Sequence, residues 1–217
     1  MARREAGEPL QYVVSRWGFR TLDLYVDRRV LIPRPETEIV AGAVIDLDPR
    51  GVVVDLGTGS GAIALSVAVE TKAARIIATD ASADALAVAR ANLAGLGHRA
   101  TRVELYEGDW FAAVPADVRG GVDVIVSNPP YIAAHEDLPG EVADWEPTTA
   151  LVAGATGLEA IERIAGEAPE WLRPGGTLVV EIAPHQRDAA LRLCTRYLHA
   201  EVRKDLTERD RVLVATR

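Results

Sequence analysis

The stretch Asn128-Pro129-Pro130-Tyr131 follows directly on the apolar run Val122–Ser127. An asparagine amide both accepts and donates hydrogen bonds. Pro129 and Pro130 carry no N–H, so fewer local donors tie up the carbonyls of this loop. Their rings also hold those acceptors in place at low entropic cost. A planar NH2 group can give one hydrogen to the Asn128 oxygen and the other to a proline carbonyl. Tyr131 would then pack beside the plane of that group. Such a nitrogen is a poor nucleophile, and holding it in line with an electrophilic carbon lowers the entropic barrier to its alkylation. An irregular turn after a strand would account for the two prolines but not for the flanking Asn128 and Tyr131.

A second cluster lies upstream in "VVVDLGTGSGAIAL". Gly57, Gly59 and Gly61, with Thr58 and Ser60 between them, permit a tight turn and close backbone approach by a ligand at a helix start. The spacing is G-x-G-x-G, not the G-x-G-x-x-G of dinucleotide sites. Asp55 precedes it. A carboxylate in this loop repels a pyrophosphate and attracts an ammonium group, which points to an amino-acid-bearing nucleotide such as S-adenosylmethionine. Asp80 closes the next apolar run, where a carboxylate can accept from ribose hydroxyls. Its alternative role is a helix cap, for which Ser82 is available. Asp109 and Trp110 close the third run, offering an acceptor for an adenine amino group and a ring to stack on it; a buried structural tryptophan is the alternative.

The elements that must position these residues follow from hydropathy. Strands are expected at 51–56, 74–80, 101–109, 122–128 and 177–182, and near 200–206 and 211–216. Helices are expected over 34–47, 62–71, 82–96, 157–172 and 185–199, with Pro174-Gly175-Gly176 ending the fourth. "TLDLYVDRRVLIP" reads as two short strands about a turn at Asp27-Arg28-Arg29. Strands apolar on both faces and separated by helices predict an α/β fold with a mostly parallel seven-stranded sheet, helices on both faces and a short β-hairpin ahead of it. Ligands of such sheets bind beyond the carboxyl ends of the strands. Asp55–Gly61, Asp80, Asp109–Trp110 and Asn128–Tyr131 all fall there.

Composition narrows the function. The 217 residues carry 32 acidic and 24 basic side chains, a net charge of −8. That is a poor basis for direct nucleic-acid binding. Cys194 is alone and sits in a helix pattern, and the first residues lack an apolar signal core. No apolar run approaches the roughly 20 residues that span a bilayer. A cytoplasmic location is expected. His98, His135, His185 and His199 lack ligand spacing, and no metal site is expected.

Taken together, "DLGTGSGAIAL", Asp80, "GDW" and "NPPY" resemble class I, Rossmann-like, S-adenosylmethionine-dependent methyltransferases that modify planar nitrogens. "VLIPRPETE" (30–38), "DLPGEVADWEPTTAL" and "GLEAIERI" resemble the release-factor glutamine N5-methyltransferases in particular. The resemblance runs from about Gly7 to the C-terminus. It implies methyl transfer to the glutamine amide of the Gly-Gly-Gln motif of a peptide chain release factor. Asn128 and Pro129–Pro130 would orient the amide, with Tyr131 beside it. Asp55, Gly57–Gly61, Asp80, Asp109, Trp110 and Asn128 would hold the cofactor, and Arg34, Glu36 and Glu38 would close over the site. Residues 1–35 would be the remnant of a linker to the family's N-terminal helical domain, and 36–217 the methyltransferase domain. Ala183 in "EIAPHQ" departs from the glycine usual there. Two alternatives stay open: an adenine-N6 nucleic-acid methyltransferase, which shares NPPY, and a non-catalytic cofactor-binding adaptor.

Overall fold

A computed structural model describes residues 2–137 and 140–217; Leu138 and Pro139 of the "DLPGEV" stretch lie outside the described residues. The chain opens with two short helices, α1 (Ala2–Glu5) and α2 (Leu10–Val14), and a hairpin of β1 (Trp17–Phe19) and β2 (Leu22–Leu24). The hairpin precedes the expected one. Its turn falls at Arg20-Thr21, where Arg20 is left-handed with φ 50°. Arginine is no turn former, and distant partners fix it here. Its guanidinium donates twice to Glu70 at 2.8 Å, and its N–H donates to Glu38. The expected turn at Asp27–Arg29 does occur, but no strand follows it.

Helix α3 (Pro35–Asp46) starts with proline in its first turn, as the sequence dictates. The alternation then runs β3 (Val52–Leu56), α4 (Ala62–Glu70), β4 (Arg75–Asp80), α5 (Ala83–Ala94), β5 (Val103–Glu107) and β6 (Val122–Ser127). A small parallel pair absent from the sequence reading follows, β7 (Ile132–Ala133) with β8 (Val152–Gly154), the short helix α6 (Gly140–Ala143) lying between them. The chain ends with α7 (Glu159–Trp171), β9 (Leu172–Glu181), α8 (Arg187–Leu193), β10 (His199–Lys204) and β11 (Asp210–Thr216).

Two boundaries differ from expectation. Pro174-Gly175-Gly176 does not separate helix from strand. It forms a bulge inside β9, whose register on β6 jumps from Val122↔Leu172 to Val124↔Thr177. A side chain on Gly176 would meet the Val122 carbonyl at 2.8 Å, which requires glycine there. Helix α8 ends at Leu193, well short of residue 199, because the chain must turn back to start β10.

The seven-stranded sheet has the order β10-β11-β9-β6-β3-β4-β5, antiparallel only where β11 meets β9 and β10. Alternate residues feed two cores. Val53, Ile76, Ala78, Val124 and Val126 pack with α3, α4 and α5, and residues 12–32 extend this core. Val54, Leu56, Ile77, Ile125 and Leu178 pack with α7 and α8 on the other face. The chain runs outward from β3 through β4 to β5, then returns to place β6 on the other side of β3. That reversal opens a crevice at the carboxyl ends of β3 and β6.

Candidate active site

The loop after β3 is held by its own hydrogen bonds, the N–H groups of Thr58, Gly59 and Gly61 donating to the Thr79 carbonyl, the Asp80 carboxylate and the Thr58 carbonyl. Gly57, Gly59 and Gly61 all have positive φ (71°, 56° and 86°), and Gly61 caps α4. A methyl group on Gly61 would meet the Leu65 side chain at 3.1 Å. Asp55 belongs to β3 itself, not to the loop, and is fully buried. One of its oxygens accepts from Thr58 Oγ1 at 2.7 Å and from the Ala64 N–H at 3.1 Å; the other has no partner among the described residues. Burial pushes its carboxyl up to about 6. Asn92, buried on α5, donates to the Ser60 carbonyl and to that of Tyr25, tying the loop to the N-terminal segment.

Asp80 sits at the edge of the same loop, accepting from the Gly59 N–H at 2.8 Å and the Ser82 N–H at 2.9 Å. Ser82 caps α5 with its own hydroxyl, so capping does not require Asp80. The Trp110 ring lies over Gly57: a Cβ there would be 3.5 Å from the indole. The Trp110 backbone is held left-handed at φ 48°, the kind of local strain that a packed site imposes. Asp109 spends its carboxylate on Arg163 at 2.6 Å.

These groups border one cavity of about 450 Å³, a size suited to a small-molecule ligand. Of the residues singled out from the sequence, Gly57, Thr58, Gly59, Ser60, Asp80, Asp109, Trp110, Asn128 and Pro130 line it. Asp55, Gly61, Pro129 and Tyr131 are not among its lining residues. Asp55 acts from behind, and Tyr131 packs against the second core with its hydroxyl 3.4 Å from Glu181. The opposite wall comes from Arg29–Leu31 with Pro33, and from Pro147, Thr149 and Ala150. Glu146 joins these two stretches, accepting from the Ile32 N–H at 3.0 Å and pairing with Arg34. The guanidinium of Arg28 stacks on Trp145, 4.0 Å from the ring centroid. Arg34, Glu36 and Glu38 therefore tie segments together and do not line the cavity. Glu36 pairs with Arg209 and Glu38 binds Arg20.

Two side chains that sequence reasoning passed over converge on Asn128. Thr37 donates to Glu181 at 2.7 Å, and the Asn128 NH2 donates to Thr37 at 3.0 Å. Gln186, also buried, donates to the carbonyls of Tyr131 and Gly157, both at 3.0 Å, anchoring the far end of the proline loop.

The residues present fit S-adenosylmethionine. The buried Asp55 charge behind the loop and Asp80 beside it favour a cationic, hydroxyl-bearing ligand. Gly57, Gly59 and Ser60 line the cavity with backbone that a ligand can approach closely, and among the described residues Thr79 leaves a buried hydroxyl without a partner there. Fold and site together define a class I S-adenosylmethionine-dependent methyltransferase. Residues 37–143 match the methyltransferase small domain family. The chain resembles a methyltransferase from Pyrococcus furiosus in fold (TM-score 0.67, 18% identity, covering 100% of this chain and 98% of that one). A ribosomal protein L11 methylase from Lactobacillus delbrueckii subsp. bulgaricus shares the fold as well (TM-score 0.56, 19% identity, 86% and 79% covered). Sequence relatives are nearer. The release factor glutamine methyltransferase of Cereibacter sphaeroides is 46% identical, over 99% of this chain and 77% of the relative. That of Moorella thermoacetica is 44% identical over 99% and 77%, and that of Caulobacter vibrioides 40% over 100% and 76%. The chain belongs to the release factor glutamine methyltransferase family.

Proposed function

We infer that the chain transfers a methyl group from S-adenosylmethionine to the side-chain amide nitrogen (N5) of the glutamine in the Gly-Gly-Gln motif of a peptide chain release factor. One observation carries the reading: the glycine loop and the Asn128–Pro130 corner open into the same cavity. A methyl donor held at one end therefore meets an amide held at the other.

The roles follow from the contacts. The closely approachable backbone of the Gly57–Gly61 loop and the Asp80 carboxylate hold the cofactor, with Asp55 supplying negative potential from behind and Trp110 and Asp109 bordering its base. The bound cofactor supplies an electrophilic methyl carbon on a sulfonium. Asn128 accepts one amide hydrogen through its side-chain oxygen. A carbonyl of Pro129 or Pro130 accepts the other, and Tyr131 braces the loop. Holding both hydrogens raises the electron density on the nitrogen and fixes its direction toward the methyl carbon. The nitrogen becomes acidic as it is alkylated, so one of the two held hydrogens is released as a proton to water at the open cavity and no strong base is required beforehand. Residues 1–35 serve as a collar supplying one wall, and 36–217 form the methyltransferase domain. A release-factor substrate and a lone buried thiol, Cys194, suit the cytoplasm.

Labelled S-adenosylmethionine with a release factor should give methyl incorporation that vanishes when the Gly-Gly-Gln glutamine is replaced. Incorporation that survives that replacement, or appears in DNA or RNA instead, would overturn the reading.

A further inference from the structure

We propose that Thr37 and Glu181 are positioning residues that fix which end of the Asn128 amide faces the cavity, presenting its oxygen to the substrate. The proposal rests on the reading of Asn128 as an amide acceptor. The two ends of an asparagine amide are nearly identical in shape, and only hydrogen bonding distinguishes them. Thr37 has one hydroxyl hydrogen, and it goes to Glu181 Oε2 at 2.7 Å. The Thr37 oxygen is then left as an acceptor, and Asn128 must turn its NH2 toward it, as found at 3.0 Å. The Asn128 oxygen is thereby directed away from Thr37. A reversed amide would leave two acceptors facing each other and offer the substrate NH2 a donor.

The relay is built from three elements that meet at the switch point: the first turn of α3, the end of β9 and the end of β6. Thr37 is 3% exposed and Glu181 1%, so water does not compete for these bonds. Glu181 also accepts from the Tyr131 hydroxyl at 3.4 Å, which places it behind both ends of the Asn128–Tyr131 loop.

The state of Glu181 sets the direction of the relay. Burial pushes its carboxyl up to about 7, opposed by the Thr37 and Tyr131 hydroxyls and by Arg211 on β11, and reinforced by Glu36 on α3. Arg34 faces Tyr131 from the start of α3. Ionised, Glu181 can only accept, and the Asn128 oxygen is presented. Protonated, it can donate to Thr37; the Thr37 hydrogen then turns to Asn128, and the amide can reverse.

The test is steady-state methylation of a release factor by the full chain, across pH, with cofactor binding measured alongside. Thr37→Val should lower kcat by about tenfold or more while cofactor affinity stays within about threefold, and Thr37→Ser should restore most of the loss. In the unmodified chain kcat should rise as pH increases through about 7. In Glu181→Gln, whose side chain does not titrate and can still accept from Thr37, that rise should disappear. Unchanged kcat in Thr37→Val, no rescue by serine, or the same pH rise in Glu181→Gln would overturn the relay. The glutamine variant decides the matter should Thr37→Val fail to fold. An unmodified chain that does not methylate a release factor would overturn the underlying reading instead.

Discussion

Asn128 is the residue on which the chemistry turns, and it is uncharged. Its contribution is direction, since its NH2 is committed to Thr37 and its oxygen is left for the substrate. Asn128→Ala should therefore lower methyl transfer by about a hundredfold or more, as for the loss of a positioned polar group in an active site. Calorimetry should show cofactor affinity changed by no more than about threefold, because the glycine loop and Asp80 are untouched. Loss of cofactor binding in that variant would reassign Asn128 to the cofactor. The place of Asp80, Trp110 and Asn128 at the cavity was legible in the sequence because each lies at or just beyond the end of a strand in a sheet whose ligand face is its carboxyl edge. Glu181 ends the fifth strand under the same rule and was passed over, because no recognised motif marked it. Thr37 stood within "PRPETE", but its partners lie 91 and 144 residues away, and a pairing so distant leaves no local pattern.

At the scale of elements, the proline loop is held by what lies beneath it. Gln186 donates to the Tyr131 and Gly157 carbonyls, and Gly157 (φ +79°) lies so close that a Cβ would meet the Tyr131 carbonyl at 2.6 Å. Gly157→Ala should destabilise the fold by about 1–3 kcal/mol. A thermal melt should show the midpoint several degrees lower, at about 2–4 °C per kcal/mol for a chain of this size. Methyl transfer should fall more than cofactor binding, since the Tyr131 end of the loop moves. An unchanged melt would mean that the loop tolerates the methyl group. The seven strands were readable as short apolar runs and the main helices from a period of 3.6. The hairpin turn was not, because Arg20 turns only under the hold of Glu70 and Glu38, partners supplied by tertiary structure.

For the whole molecule, two buried carboxylates oppose stability at neutral pH. Glu181 is pushed up to about 7 and Asp55 to about 6 by burial. Both lie above the ordinary carboxylate range, so between about pH 4 and 7 the native chain holds protons that the unfolded chain has released. Stability present at the acid end of that window is lost as pH rises through about 6 and 7. The opposite sign applies at lower pH. Asp27 and Asp205 are held at about 2, Asp27 chiefly by Arg29 and Asp205 chiefly by Thr207, and their contribution is lost on further acidification. Melting temperature should therefore decline from about pH 5 to 8, and Glu181→Gln should flatten part of that decline. A profile that rises over that range would overturn the assignment. The same deprotonation that costs stability is the one that sets the Asn128 amide for work, so activity and stability should move in opposite directions across neutrality.

The wall that Glu146 closes also has a history during synthesis. Glu146 meets Ile32 and Arg34 across 114 and 112 residues of chain. A ribosome delivering the protein from its N-terminus releases Arg29–Pro33 early and Pro147–Ala150 more than a hundred residues later. A nascent chain that has already displayed its glycine loop, its Asn128 corner and Arg29–Pro33 still lacks the Pro147–Ala150 part of the opposite wall. The enzyme therefore gains its complete binding chamber late in its own translation, only after the segment beyond Glu146 has emerged.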